Sequence, residues 1–212
     1  MGRILLGILL AIVLIVGITV GVLYYTITSS IQPDVSDYKY LEEPQINNLP
    51  DQNMLVIEAY GDPNTNAAKA FEILIATYFR FSEIQQMGFQ PILPRGRYPV
   101  DIYSNPSDWL VSYAIPIPEN IGAVPPAVDV PDDFSFKVEV WEYGPTAEIL
   151  HYGAYEDEAP TIERLMNFIE EQGYRVIGDH EEIYLVGPES GKSPSDYVTI
   201  LRYRVQPVES GE

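Results

Sequence analysis

Hydrophobic positions fall into two regimes along this chain. Residues 4–25, "ILLGILLAIVLIVGITVGVLYY", carry no charge and almost no polar group. About 20 such residues suffice to span a bilayer as a helix. Tyr24 and Tyr25 close the run where an aromatic belt belongs. The run exceeds the roughly 7–15 apolar residues of a signal peptide, and no A-x-A-like cleavage site follows it. Arg3 and the α-amino group are the only positive charges before it, and the next basic residue is Lys39. The positive-inside rule then places the N-terminus in the cytoplasm and the remainder outside. This pattern predicts a single-pass anchor over residues 1–27 with the lipid bilayer as its partner. A polar tether rich in Ser, Pro, Asp and Asn follows over 28–44, with a short strand near Tyr38–Leu41 or Gln45–Ile46.

Beyond the tether the pattern alternates and repeats. "MLVIEAY" predicts a strand over Met54–Tyr60, stopped by Gly61-Asp62-Pro63. A helix is expected over about 66–81, then a Gly88-Phe89 turn, an acid-Ile-Tyr strand at 101–103 and a strand over 109–117. The same order returns: a strand over 147–152 stopped by Gly153, a helix over about 158–172, a Gly173-Tyr174 turn, acid-Ile-Tyr at 182–184 and a strand over 197–205. Ile162, Leu165, Met166 and Ile169 recur at helical spacing. Pro160 fits a first turn, and Glu156, Asp157 and Glu158 suit the positive end of the helix dipole. An extra strand over 136–144 opens the second copy, and the proline-rich 118–133 connects the two. The expected class is α+β: duplicated strand-helix-strand-strand units forming one antiparallel sheet with two helices on one face. The domain spans 45–206, with repeat one about 45–117, repeat two about 134–206, and a tail over 207–212.

Strand side chains alternate between faces. His180, Glu182 and Tyr184 therefore share one face of their strand, and Glu181, Ile183 and Leu185 the other. Asp101 and Tyr103 pair off in the same way in the first copy. A helix must cover an apolar sheet face. This places Ile102, Ile183 and Leu185 toward the helices, and Glu182, Tyr184, Asp101 and Tyr103 in a shared concavity on the other side. Trp109 and Trp141 lie on strands able to contribute. Aromatic faces attract cations, and a carboxylate among apolar groups needs a neutralising partner. Such a surface suits a small organic cation. The same pattern also describes an ordinary solvent-exposed sheet face.

Composition narrows the chemistry. There is no cysteine, which excludes disulfides, zinc-thiolate sites and thiol nucleophiles. Twelve basic against 31 acidic residues give a net charge of −19, a field that repels phosphate backbones, so no nucleic-acid partner is expected. His151 reads as structural or as pocket wall, and His180 as exposed. "GPESGKSPSD" contains Gly-Lys-Ser but lacks the P-loop's first glycine, and reads as a hairpin loop. No metal-ligand spacing appears, and no cofactor is implied.

The duplicated unit resembles the GyrI-like (gyrase-inhibitor-like) domain, also the effector-binding domain of AraC- and MerR-type regulators. The second copy carries the likeness, from "KVEVWEYGPTAEILHYGAY" through "EEIYLVGP" to "YVTILRYRVQP", with an H-x-G-x-Y element at His151, Gly153 and Tyr155. The resemblance implies a pocket between the repeats for small, often cationic aromatic molecules, with Glu182 as charged anchor and Tyr184 and Tyr155 beside it. The first copy is looser, with Asp101 in place of the Glu. No helix-turn-helix precedes the domain; the apolar run stands in that place. Some family members hydrolyse reactive small molecules with a pocket Glu and Tyr. The readings carried forward are a non-catalytic small-molecule binder, a hydrolase, and an interaction protein whose cleft is filled by its own side chains. No protein partner is named by the sequence.

Overall fold

The computed structural model describes residues 33–88, 90–99, 105–125 and 130–208. Nine strands are described: β1 Gln45–Leu49, β2 Gln52–Tyr60, β3 Arg95–Tyr98, β4 Leu110–Pro116, β5 Phe134–Trp141, β6 Gly144–Tyr152, β7 Tyr174–Val176, β8 His180–Val186 and β9 Val198–Pro207. The helices are α1 Pro63–Tyr78, α2 Ser82–Met87 and α3 Ala159–Glu171, with a 3-10 helix at Val35–Leu41 and shorter 3-10 turns in the loops. The antiparallel sheet runs β1-β6-β9-β8-β3-β4-β2-β5, and β7 pairs with the far end of β9.

The strand order reads the same from either end. β1 matches β5, β6 matches β2, β9 matches β4, and β8 meets β3 at the centre. Two glycines fix the overlay: the Gly61 amide donates to Trp109 O, and the Gly153 amide to Tyr197 O. Both have positive φ, 104° and 132°, which glycine adopts without steric cost. The strands opening each half are exchanged, since β5 pairs with β2 and β1 with β6.

α1 and α3 cover one sheet face. Asp62 caps α1 through the Asn64 amide, and Pro63 opens its first turn. Ala70, Leu74 and Tyr78 pack on Leu55, Ile57, Val111, Tyr113 and Ile115. Leu165 and Ile169 of α3 pack on Ala147, Ile149, Leu201, Tyr203 and Val205. The opposite face is covered as well. Leu41 from the 3-10 helix packs on Leu150, Ile183, Leu185 and Ile200. Beside this patch lies a buried ion cluster. Glu181 meets Arg97 at 2.8 Å, Arg202 at 3.4 Å and Arg95 at 3.6 Å, and accepts from Tyr143 Oη at 2.8 Å. Arg202 also pairs with Glu148, and the Arg97 guanidinium lies 3.7 Å from the Trp141 ring centroid.

Three expectations change here. Ile183 and Leu185 face away from the helices, because the 3-10 helix at 35–41 gives the second face its own apolar cover. Glu182 and Tyr184 are therefore on the helix-bearing face. The tether contains that 3-10 helix where a strand over Tyr38–Leu41 was one option, and β1 forms at the other. The single-pass anchor and extracytoplasmic placement are not sustained: among the described residues no helix is long and apolar enough to cross a membrane. The apolar run 4–25 lies outside the described residues, and no membrane partner is carried forward.

Candidate functional site

The centre of the helix-bearing face, where β3 meets β8, gathers the polar groups the strand pattern singled out. Gly96 pairs with Glu182 and Tyr98 with His180. Tyr184 Oη donates to Glu182 Oε2 at 2.8 Å, and Tyr98 Oη lies 2.6 Å from Tyr184 Oη. A phenol has one hydrogen. Tyr184 spends its own on Glu182, so Tyr98 donates to Tyr184. His180 Nε2 sits 3.2 Å from Glu182 Oε1. Glu158, the residue just before α3, is only 5% exposed and completes the group. One atom from each of Glu158, His180 and Glu182 lies within 4.8 Å of the others.

Local structure explains how Glu158 gets there. His151 at the end of β6 bonds Thr161 Oγ1 at 3.0 Å through Nδ1, and its Nε2 lies 3.2 Å from Ala154 O. This ties β6 to the 3-10 turn at Tyr155–Asp157 and to the first turn of α3. Glu158 is thereby aimed inward, while Glu156 and Asp157 stay exposed.

Aromatic rings frame the carboxylates. Phe71 of α1 meets the Tyr184 ring edge-on at 5.5 Å between centroids, and Tyr155 meets it at 5.6 Å. Tyr98 contacts Trp109 and Tyr113, each at 6.4 Å, and His180 stacks near Tyr203 at 5.0 Å. Burial, with Glu182 next in effect, holds the Tyr98 and Tyr184 hydroxyls well above the usual phenol range and pushes Tyr203 up to about 12. These phenols stay protonated donors. Burial first, then the Glu182 charge and its hydrogen bond, push the Glu158 carboxyl up to about 10.

That last shift sets a pH dependence of stability. Between about pH 4.5 and 10 the folded chain keeps a proton on Glu158 that the unfolded chain has lost, so stability falls as pH rises. Glu158→Gln removes the titration. The variant is expected to gain on the wild type by on the order of 2–4 kcal/mol between about pH 5 and 8. Urea denaturation at the two pH values checks this; an unchanged difference would place the proton elsewhere.

The predicted site residues distribute as follows. Glu182, Tyr184, Tyr155 and Trp109 converge here. Trp141 lies on the opposite face, against Arg97, Met54 and Val56, because odd-numbered positions on β5 share the face of Met54, Val56 and Glu58. Asp101 and Tyr103 lie outside the described residues. The first-half counterpart of Glu182-Ile183-Tyr184 is instead Gly96-Arg97-Tyr98, by the registers of β3, β4, β8 and β9. His180 is buried rather than exposed. Tyr98, Glu158 and Phe71 were not singled out from sequence.

Gly96 is required where an acid was expected. A Cβ there would sit 3.0 Å from Tyr184 Oη and 3.0 Å from Tyr98 Cε2. Gly96→Ala is expected to part the tyrosine pair and cost about 1–2 kcal/mol. Thermal denaturation and the resonance of the Tyr184 hydroxyl proton would register it; an unaltered hydroxyl signal would contradict the packing argument.

Glu158 and Glu182 form no ion pair with lysine or arginine among the described residues; His180 is the one basic side chain paired with Glu182. Arg95, Arg97 and Arg202 are engaged by Glu181 and Glu148 on the other face. The arrangement can hold a proton or a cation between two carboxyls, within an aromatic surround.

An uncharacterised conserved protein from Listeria innocua shares the fold with a TM-score of 0.66 and 22% identity, over 82% of this chain and 97% of that one. A hydrolase from Listeria innocua gives 0.63 and 20%, over 81% and 97%. The C-terminal domain of EcmrR gives 0.57 and 12%, over 79% and 99%. At these identities the likeness is one of fold. No curated protein sequence matches the chain. The model of the GyrI-like small-molecule-binding domain matches residues 42–205, and with that span the chain belongs to the GyrI-like family.

Proposed function

We propose that this domain binds small organic cations, aromatic or lipophilic, against Glu182 between α1 and α3. One observation carries the reading: two carboxyls at the sheet centre, framed by Tyr98, Tyr155, Tyr184 and Phe71, with no lysine or arginine paired to them among the described residues. A cation there gains both the carboxylate and the ring faces. The family match supports a small-molecule site. Phe71 and Tyr155 both pack edge-on against Tyr184, so entry displaces one of these rings. Tyr155 is the candidate, being 37% exposed and carried on a short 3-10 turn.

The test is a titration of the purified chain with tetraphenylphosphonium, followed by tryptophan fluorescence, since Trp109 adjoins Tyr98. Saturable one-to-one binding is expected. A folded chain that takes up no cation would leave the interaction-protein reading, with the cleft filled by its own tyrosines.

A second reading rests on the hydroxyl chain Tyr98–Tyr184–Glu182. A carboxylate beside a phenol donor can activate water and protonate a leaving group, and one fold relative is described as a hydrolase. Turnover of reactive electrophiles, abolished by Tyr184→Phe, would favour this reading over simple binding.

A further inference from the structure

Two buried carboxyls without an arginine or lysine raise a question of charge balance. Glu158 is 95% withdrawn from solvent, and its Oε1 has no hydrogen-bond partner. The group it faces is Glu182, whose side chain is 12% exposed. Like charges this close in a poorly solvated site cannot both ionise cheaply, so one proton is held between them. The pair titrates as a unit.

β8 contributes His180, bonded to Glu182, and the Tyr184 hydroxyl. β3 contributes Tyr98, β4 Tyr113 and β9 Tyr203, all phenols held protonated by burial. The 3-10 turn contributes Tyr155, likewise raised by burial and then by Glu189 and Glu182. β6 contributes His151, which is turned to Thr161 and Ala154. α1 contributes Phe71, which is uncharged. None supplies a fixed positive charge to offset Glu158.

We propose that Glu158 and Glu182 act as one proton-sharing anchor, and that a bound organic cation drives off that proton, so that ligand retention rises with pH. This rests on the cation-binding reading above. The balance is simple. The free site holds one proton and one negative charge. The cation arrives, Glu158 releases its proton to solvent, and two carboxylates face the ligand. A unit charge about 5 Å away, at an effective dielectric near 20, changes the hold on a proton by roughly hundredfold. The cation thus lowers the titration of Glu158 by about two pH units below its value in the free site. Within that window affinity climbs by up to about tenfold per pH unit, and it levels off on either side. Acidification favours release. The unpartnered Oε1 of Glu158 becomes a ligand contact, which makes Glu158 a determinant of affinity that Glu182 alone does not provide.

The experiment is isothermal titration of the full chain with tetraphenylphosphonium, in EDTA, at about pH 7 and 9.5, each in two buffers of different ionisation enthalpy. Expected is an affinity at least tenfold higher at the upper pH, with up to one proton released per cation between them. Glu158→Gln should abolish both the rise and the proton release. Cation binding without pH dependence and without proton release would overturn this inference while leaving the binding reading intact. A rise that persists in Glu158→Gln would assign the proton to another group and also overturn it. No binding at either pH would remove both.

Discussion

Glu181→Ala is expected to destabilise the chain by about 3–5 kcal/mol, the loss associated with removing one partner of a buried charge cluster. Glu181 is 3% exposed and sits among Arg95, Arg97 and Arg202, with Tyr143 donating to it as well. Burial alone would raise its carboxyl. Arg95, Arg202 and Arg97 outweigh burial and hold it below the usual range. Removing it leaves Arg95 and Arg97 without their carboxylate, while Arg202 retains Glu148. The stabilisation is present above the unfolded carboxylate range and is lost as pH falls through the lowered value. Urea denaturation near neutral pH measures the effect. A loss under about 1 kcal/mol, the range of exposed surface pairs, would show that the cluster is hydrated and weak.

Glu182→Gln should leave the fold in place and weaken cation binding by about 10- to 100-fold, the range for one charge-assisted contact in a partly buried site. The amide keeps the shape and still accepts from Tyr184, so the tyrosine pair is preserved. Loss is incomplete because Glu158 no longer faces a neighbouring carboxylate and ionises more readily in the variant. Glu158→Gln with Glu182→Gln should therefore abolish cation binding. Titration of both variants beside the wild type checks this, and an unimpaired single variant would move the anchor elsewhere.

The two adjacent acids at 181 and 182 thus lie on separate faces, one among arginines and the other beside Tyr184 and His180. Period-two alternation makes that separation legible in the sequence. The face on which each acid falls is less so. Ile183 and Leu185 are apolar, and apolar residues normally mark the helix-facing side. Here Val35, Tyr38 and Leu41 cover the opposite face, so β8 is buried on both sides and hydropathy loses its direction. The order of strands and helices was legible, and the glycine turns at 61 and 153 hold matching places in it. Its central strand was not. "DIY" at 101–103 copies the text of "EIY", but the strand that meets β8 is "RGRY", with glycine in place of the acid. Only packing reveals the reason, since a side chain at 96 would strike the tyrosines. Glu158 was hidden among three consecutive acids, each a sound choice for a helix N-terminus. The inward aim of the third follows from His151 and the short turn before α3, contacts made across 10 positions of sequence.

The measurement that bears most directly on the account is a crystal structure of the chain with tetraphenylphosphonium. The cation is expected between α1 and α3, its charge toward Glu182 and Glu158, with Tyr155 displaced and the Tyr98–Tyr184 pair forming the wall. A cation bound elsewhere, with Tyr155 still packed on Tyr184, would contradict this.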